Sequence, residues 1–72
     1  MNERIKNRDL WQFCAFYREQ FGAVHDATRF RNELAMRFYH QTKDVQELFE
    51  RCIEQRYLRC YGGNIIIKVS TK

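Results

Sequence analysis

Apolar side chains recur at helical spacing in three segments that polar residues and a glycine separate. The spacing predicts helices over residues 9–21, 28–39 and 43–55, each with one apolar face that packs into a core. Thr42 is the expected N-cap of the third helix. The apolar positions are Leu10, Phe13, Cys14, Tyr17 and Phe21 in the first helix, Phe30, Leu34 and Phe38 in the second, and Val45, Leu48, Phe49, Cys52 and Ile53 in the third.

The first two predicted helices are bounded by residues that suit helix termini. Asn7 or Asp9 can accept hydrogen bonds from the free N–H groups at the start of the first helix, and Gly22 suits its C-terminal end. Asp26 or Thr28 is the expected N-cap of the second helix. The segment between the two helices is therefore predicted to be a loop.

The end of the chain carries β-branched and aromatic residues on both sides of a Gly-Gly-Asn sequence. This pattern predicts a β-hairpin of residues 57–61 and 64–69, because Gly62, Gly63 and Asn64 tolerate the positive φ of a tight turn. One side of the hairpin must then cover the helices. The predicted fold class is α+β, with three helices followed by a C-terminal β-hairpin in a single domain.

The composition fits one small binding domain. The chain has 72 residues, and a domain of this size hides only roughly 60% of the surface that its unfolded chain exposes. No apolar run approaches the ~18 residues that a membrane span needs, and the charged first ten residues lead into no secretion signal. We therefore expect a cytoplasmic protein without a membrane partner or a cofactor.

The three cysteines, Cys14, Cys52 and Cys60, form no close pair of the Cys-x-x-Cys type. An odd number of widely spaced cysteines favours reduced thiols buried in a core over a disulfide framework. Zinc, with His25 and His40 as further ligands, is the alternative. Structural zinc sites use ligands in close pairs, so the spacing favours the core thiols.

Catalytic chemistry finds little support in the sequence. His25 is next to Asp26 in the predicted loop, but a loop histidine beside a capping carboxylate is far more often an ordinary surface pair. The only serine is Ser70, close to the C-terminus, and no glycine-rich phosphate loop is present. We therefore expect a binding protein without catalytic residues.

A further pattern extends from the second helix to the start of the hairpin, in residues 33–60. Glu-Leu-Ala is followed by an apolar residue, a polar turn, Val, two adjacent apolar residues and Arg-x-x-Glu before a strand. This run, with the order helix, helix, short turn, helix, hairpin, resembles the winged helix-turn-helix family. The matching residues are Glu33-Leu34-Ala35, Phe38, Gln41-Thr42-Lys43, Val45, Leu48-Phe49, Arg51, Glu54 and Leu58-Arg59.

The chain departs from the family pattern at three positions. The turn between the second and third helices has Tyr39 where the family usually has glycine, and His40 where it usually has a small apolar residue. Arg56 stands where a glycine usually precedes the hairpin.

The resemblance implies binding of duplex DNA by a small transcription regulator. In such domains the N-terminal end of the third helix meets base edges in the major groove, and the hairpin, or wing, contacts phosphates. The implied DNA contacts are Gln41, Thr42, Lys43 and Gln46 on the third helix, with Glu47 beside them, and Arg56, Arg59 and Lys68 in the wing.

Charge is distributed unevenly along the chain. The net charge of +4 divides into +2 for residues 1–40, −2 for residues 41–55 and +4 for residues 56–72. Glu47, Glu50 and Glu54 give the third helix an acidic face that phosphates would repel. This distribution favours DNA contact by the wing over contact by the middle of the third helix.

The acidic face allows two other interpretations. It can be a solvated surface on which Glu47 pairs with Lys43 and Arg51 at a spacing of four residues. It can also bind a protein target, as in the small regulators and inhibitors that phages and mobile elements encode. Fold alone does not decide between DNA binding and protein binding.

Trp11 and Phe16 lie outside the apolar stripe of the first helix, on opposite flanks. One hypothesis is that they form a self-association surface of a homodimer. The alternative is that Trp11 packs against the N-terminal arm or the hairpin.

Overall fold

Residues 5–38 and 44–70 of the computed structural model form three helices and a three-stranded sheet, in the order α1–β1–α2–α3–β2–β3. The predicted α+β fold, with three helices followed by a C-terminal hairpin, is confirmed. Among the described helices, none has the length and apolar character needed to cross a bilayer. The elements are α1 (Asn7–Phe21), β1 (Val24–Asp26), α2 (Ala27–Phe38), α3 (Val45–Glu54), β2 (Leu58–Tyr61) and β3 (Asn64–Ile67).

The prediction of a loop between α1 and α2 is wrong, because Val24–Asp26 form the strand β1. β3 is the central strand of the sheet and pairs antiparallel with both β1 and β2. Ala23 extends the β1 side, since its carbonyl accepts from the N–H of Ile67 at 2.8 Å. β1 therefore ties the segment after α1 to the hairpin at the other end of the chain.

The core lies between the helices and the inner face of the sheet, and the predicted apolar faces supply most of it. Two residues of those faces are exposed instead: Phe21, at the end of α1, and Ile53, on the flank of α3 beside the hairpin. The buried apolar side chains are Ile5, Leu10, Cys14, Ala15, Tyr17, Phe30, Leu34, Phe38, Leu48, Phe49, Cys52, Leu58, Ile65 and Ile67.

α1 begins at Asn7, one residue earlier than a cap at Asn7 allows and three earlier than a cap at Asp9 allows. Lys6 is the N-cap, and Asp9, in the first turn, accepts from the backbone N–H of Lys6 at 3.1 Å. Neither Asn7 nor Asp9 occupies the cap itself, so that prediction is wrong in position. The predicted stop at Gly22 is confirmed, because Gly22 has a φ of 97° and its N–H donates to the carbonyl of Arg18.

Aspartates cap the other two helices. Asp26 accepts from the N–H of Arg29 at 3.1 Å, as one of the two predicted caps of α2. Asp44 is the N-cap of α3 and accepts from the N–H of Glu47 at 3.0 Å, so the prediction of Thr42 is wrong. Thr42 itself lies outside the described residues.

Candidate nucleic-acid interface

Three cationic side chains and two aliphatic ones line a groove at the base of the hairpin. Its volume is about 480 Å³. The end of α3, the connection to β2, β2 itself and the residue after β3 all contribute to it. We call it the wing groove; its lining residues are Ile53, Arg56, Leu58, Arg59 and Lys68.

The register of the hairpin brings two of these cations together. Arg59 pairs with Ile66 across the β2–β3 ladder, and Lys68 is two residues beyond Ile66 on the same face. Such diagonal neighbours lie about 7–8 Å apart. The turn at Gly62 and Gly63 sets this register, and of these two glycines only Gly62 has a positive φ, of 60°. A shift of one residue would move Lys68 to the other face of the sheet.

Arg56 reaches the groove through a left-handed backbone conformation. The N–H of Arg56 donates to the carbonyl of Ile53 at 3.0 Å, and the N–H of Tyr57 donates to the carbonyl of Cys52 at 2.9 Å. These two bonds form a Schellman motif, whose left-handed position is usually glycine. Arg56 occupies that position with a φ of 64°. The family pattern has glycine at this position, so the departure seen in the sequence coincides with backbone strain.

Replacing Arg56 by Gly should stabilise the fold. Removing the backbone strain of a non-glycine residue in the left-handed conformation should raise the free energy of unfolding by about 1 kcal/mol. This raises Tm by about 4–8 °C in a domain of this size. Thermal denaturation followed by circular dichroism measures the change. Arg56→Ala is the control, because it removes the same charge and keeps the strain; an equal gain in both variants would contradict this account.

Arg59 has an aromatic neighbour. Its guanidinium lies over the ring of Tyr61, 5.4 Å from the ring centroid, on the exposed face of β2. Among residues 5–38 and 44–70, no carboxylate bonds to Arg56, Arg59 or Lys68. The positive charge of the wing groove is therefore not neutralised within the described part of the molecule.

Of the four residues of the third helix that were predicted to contact bases, only Gln46 lies within the described ranges. Gln41, Thr42 and Lys43 lie outside the described residues. The side chain of Gln46 accepts from Nη1 of Arg31 at 2.9 Å and donates to Glu50 at 3.2 Å. Gln46 is thus held by a bond to α2, which no local pattern indicates because the two partners are 15 residues apart.

The acidic face of α3 is present. Glu47, Glu50 and Glu54 are exposed on one side of the helix, with Glu50 bonded to Gln46. The expected pair of Glu47 with Arg51 does not form. Arg51 donates instead to the side chain of Asn7 and to the backbone carbonyl of Ile5.

The two residues of the predicted self-association surface differ in exposure. Trp11 is half-buried in α1, and the side chain of Phe16 is 56% exposed. Phe16 lines a second groove, between α1 and α2, to which Trp11 does not contribute.

Two of the three cysteines are core thiols, as expected. Cys14 and Cys52 are fully buried with their Sγ atoms 3.9 Å apart, and the hydrogen bond to Cys52 and burial raise the pKa of Cys14. The expectation is wrong for Cys60, which is exposed: only Leu58, the first residue of β2, is buried, and the last three residues of the strand are all exposed. Within the described ranges, no three His, Cys, Asp or Glu side chains form a metal-binding group.

His25, the other described zinc candidate, has a structural contact. Its Nε2 lies 2.6 Å from the carbonyl oxygen of Gly22, which can only accept, so Nε2 carries the proton. Its ring also packs edge-on against Tyr17. His40 lies outside the described residues.

The structure thus brings together the residues predicted for the wing, whereas three of the four residues predicted for the third helix lie outside the described ranges. Arg56, Arg59 and Lys68 converge on the wing groove, whereas Gln46 is engaged within the molecule. Scans of the chain against protein-family models, curated proteins and solved structures found no match.

Proposed function

We propose that this chain is a small regulatory protein that binds duplex DNA through the wing groove. The proposal rests on one observation: Arg56, Arg59 and Lys68 converge on one groove, and no carboxylate of the described residues bonds to them. Cations placed against phosphates release condensed counterions, and this release is the main source of sequence-independent affinity. The order of elements and the winged helix-turn-helix resemblance support the same interpretation.

The groove is suited to a nucleic-acid backbone. Arg56, Arg59 and Lys68 are exposed, and the guanidinium of Arg59 lies over the ring of Tyr61, so it is already positioned. Ordering a free arginine on binding costs conformational entropy, and this contact reduces that cost.

The middle of α3 does not enter the interface in this proposal. Glu47, Glu50 and Glu54 would stand close to phosphates if the exposed face of α3 lay deep in a groove. The N-terminal end of α3 and the preceding residues 41–43 remain the proposed base contacts, because the N-terminal residues of the corresponding helix meet base edges in helix-turn-helix domains. The wing thus supplies affinity, and the start of α3 supplies sequence preference.

The test is a salt titration with a fluorescent random-sequence DNA duplex. Three phosphate contacts predict a slope of log K against log salt of about −2.7. The double variant Arg59→Ala/Lys68→Ala should make this slope shallower by about 1.8 and weaken binding at least about tenfold at low salt.

The matched control is Arg8→Ala/Arg18→Ala, two exposed residues of α1 outside the wing groove. Both double variants lower the net charge by two, so a general charge effect would weaken them equally. The proposal requires that only the wing variant loses affinity and slope. Equal losses, or no binding of the wild type at about 50 mM salt, would contradict it.

The acidic face of α3 favours a second candidate function, the binding of a basic protein target. Glu47, Glu50 and Glu54 are exposed, and within the described residues none of them bonds to a lysine or arginine. A pull-down from the source cell, scored for DNA against protein, separates the two functions. Capture of a basic protein that the variant Glu47→Gln/Glu50→Gln/Glu54→Gln fails to capture would favour the second.

A further inference from the structure

The second groove, between α1 and α2, is open and mainly apolar. Its volume is about 470 Å³. Three of its side chains are largely exposed: Phe16 and Phe21 at 56% each, and Met36 at 70%. Large apolar side chains clustered on a small domain indicate an interaction surface. We call this surface the α1–α2 groove; its lining residues are Asp9, Gln12, Phe13, Phe16, Tyr17, Phe21, Glu33, Met36 and Arg37.

Charges of opposite sign flank the exposed methionine on α2. Glu33 and Arg37 are one helical turn apart, and both line the groove with Met36. The guanidinium of Arg37 lies over the ring of Phe38, 5.0 Å from the centroid. Within the described residues, Glu33 and Arg37 form no ion pair with each other or with another side chain. Each is therefore available to a charge of opposite sign on a partner.

We propose that the α1–α2 groove binds the same groove of a second copy of this chain. In a two-fold symmetric dimer, each contact between two different residues occurs twice. An axis midway between Glu33 and Arg37, with the two α2 helices antiparallel, places Arg37 opposite Glu33 of the second copy and Glu33 opposite its Arg37. The surface is thus complementary to itself in charge.

The apolar side chains suit the same arrangement. The two-fold axis crosses α2 midway between Glu33 and Arg37. Met36 lies one residue from that crossing point, so it packs beside Met36 of the second copy. Phe16 lies across the groove on α1, where it covers this contact. An aromatic and aliphatic centre surrounded by paired charges is the usual anatomy of a protein interface. The apolar surface that is exposed in a single chain becomes buried.

The dimer goes beyond the proposed function and does not depend on it. The α1–α2 groove and the wing groove share no lining residue, so the dimer uses none of the residues of the wing groove. A dimer with two wing grooves would grip one duplex at two points, with a higher affinity than either groove alone.

Molar mass measured over a range of concentrations tests the proposal. The single chain has a mass of 8.9 kDa, and the expected result is a shift to twice that mass at micromolar concentration. Arg37→Glu should raise the dimer dissociation constant about tenfold, because two ion pairs are lost and two like-charge contacts replace them. The exchange Glu33→Arg/Arg37→Glu should restore dimerisation, because both reciprocal pairs form again with their signs inverted.

Two further variants make the test independent of folding. Met36→Asp changes a side chain that is 70% exposed, so it should leave the thermal unfolding curve of the monomer unchanged and abolish the dimer. Glu47→Arg reverses an exposed charge on α3 and should leave the dimer intact. A monomeric wild type at about 100 μM would overturn the proposal. So would a dimer that Arg37→Glu and Met36→Asp leave unchanged, or one that the charge exchange fails to restore.

Discussion

Replacing Phe30 by Ala should lower the free energy of unfolding by about 3–5 kcal/mol, because it removes a large buried ring and leaves a cavity. Phe30 is fully buried, and the centroid of its ring lies within 6.1 Å of the centroids of three other aromatic rings. Those rings come from α1 and α3: Phe13, Tyr17 and Phe49. Domains are stable by only about 5–15 kcal/mol, so a large fraction of the variant should unfold near room temperature if the wild type lies at the low end.

Urea denaturation followed by the fluorescence of Trp11, the only tryptophan, measures this loss. Phe16→Ala is the matched control, since it removes the same ring from a position that is 56% exposed. Its expected effect is within about 0.5 kcal/mol, when measured at a concentration where the chain is monomeric. Similar urea midpoints for the two variants would show that the Phe30 ring does not organise the core.

Replacing Arg51 by Met should destabilise the fold by about 2 kcal/mol, because a charged donor with three hydrogen bonds is lost. Nη2 of Arg51 donates to the carbonyl of Ile5 and to Oδ1 of Asn7, both at 2.7 Å, and Nε donates to the same Oδ1 at 3.2 Å. These bonds fasten the start of the chain to α3. The side chain of Ile5 is 5% exposed, so this fastening also keeps an apolar residue in the core.

A double-mutant cycle with Asn7→Ala isolates the contact. The coupling free energy between the two positions should be about 1 kcal/mol, because the partners touch directly. Arg8→Met serves as the control, since Arg8 is an exposed arginine next to Asn7. A coupling near zero would mean that the bonds to Asn7 add nothing, and that any stabilisation by Arg51 comes from its bond to the carbonyl of Ile5 or from packing.

The helices and the hairpin were predictable because their signals are local. The spacing of Val45, Leu48 and Cys52 marks one face of α3, and Gly62 and Gly63 mark the hairpin turn. β1 carries no such signal, since three residues cannot show a period and their side chains lie partly or wholly in solvent. That strand exists because β3 offers it a free edge, which depends on where the hairpin lies in the folded chain.

The candidate site was partly predictable. The cations Arg56, Arg59 and Lys68 could be named from the resemblance and from the positive end of the chain. That these three side chains converge on one groove could not be predicted, because it depends on the register of the β2–β3 ladder and on the left-handed backbone of Arg56. The bond from Arg31 to Gln46 was likewise beyond the sequence, since it joins two helices across the fold.

The sequence by itself determined the three helices and the hairpin and which face of each is apolar, because these follow from the spacing of side chains along the backbone. The tertiary structure decided which apolar side chains stay outside the core. Phe21 and Ile53 belong to the predicted apolar faces and have the same chemistry as their buried neighbours, and they remain exposed. A side chain is buried only where another element packs against it. Such packing joins residues that are far apart in the sequence, so no local pattern encodes it.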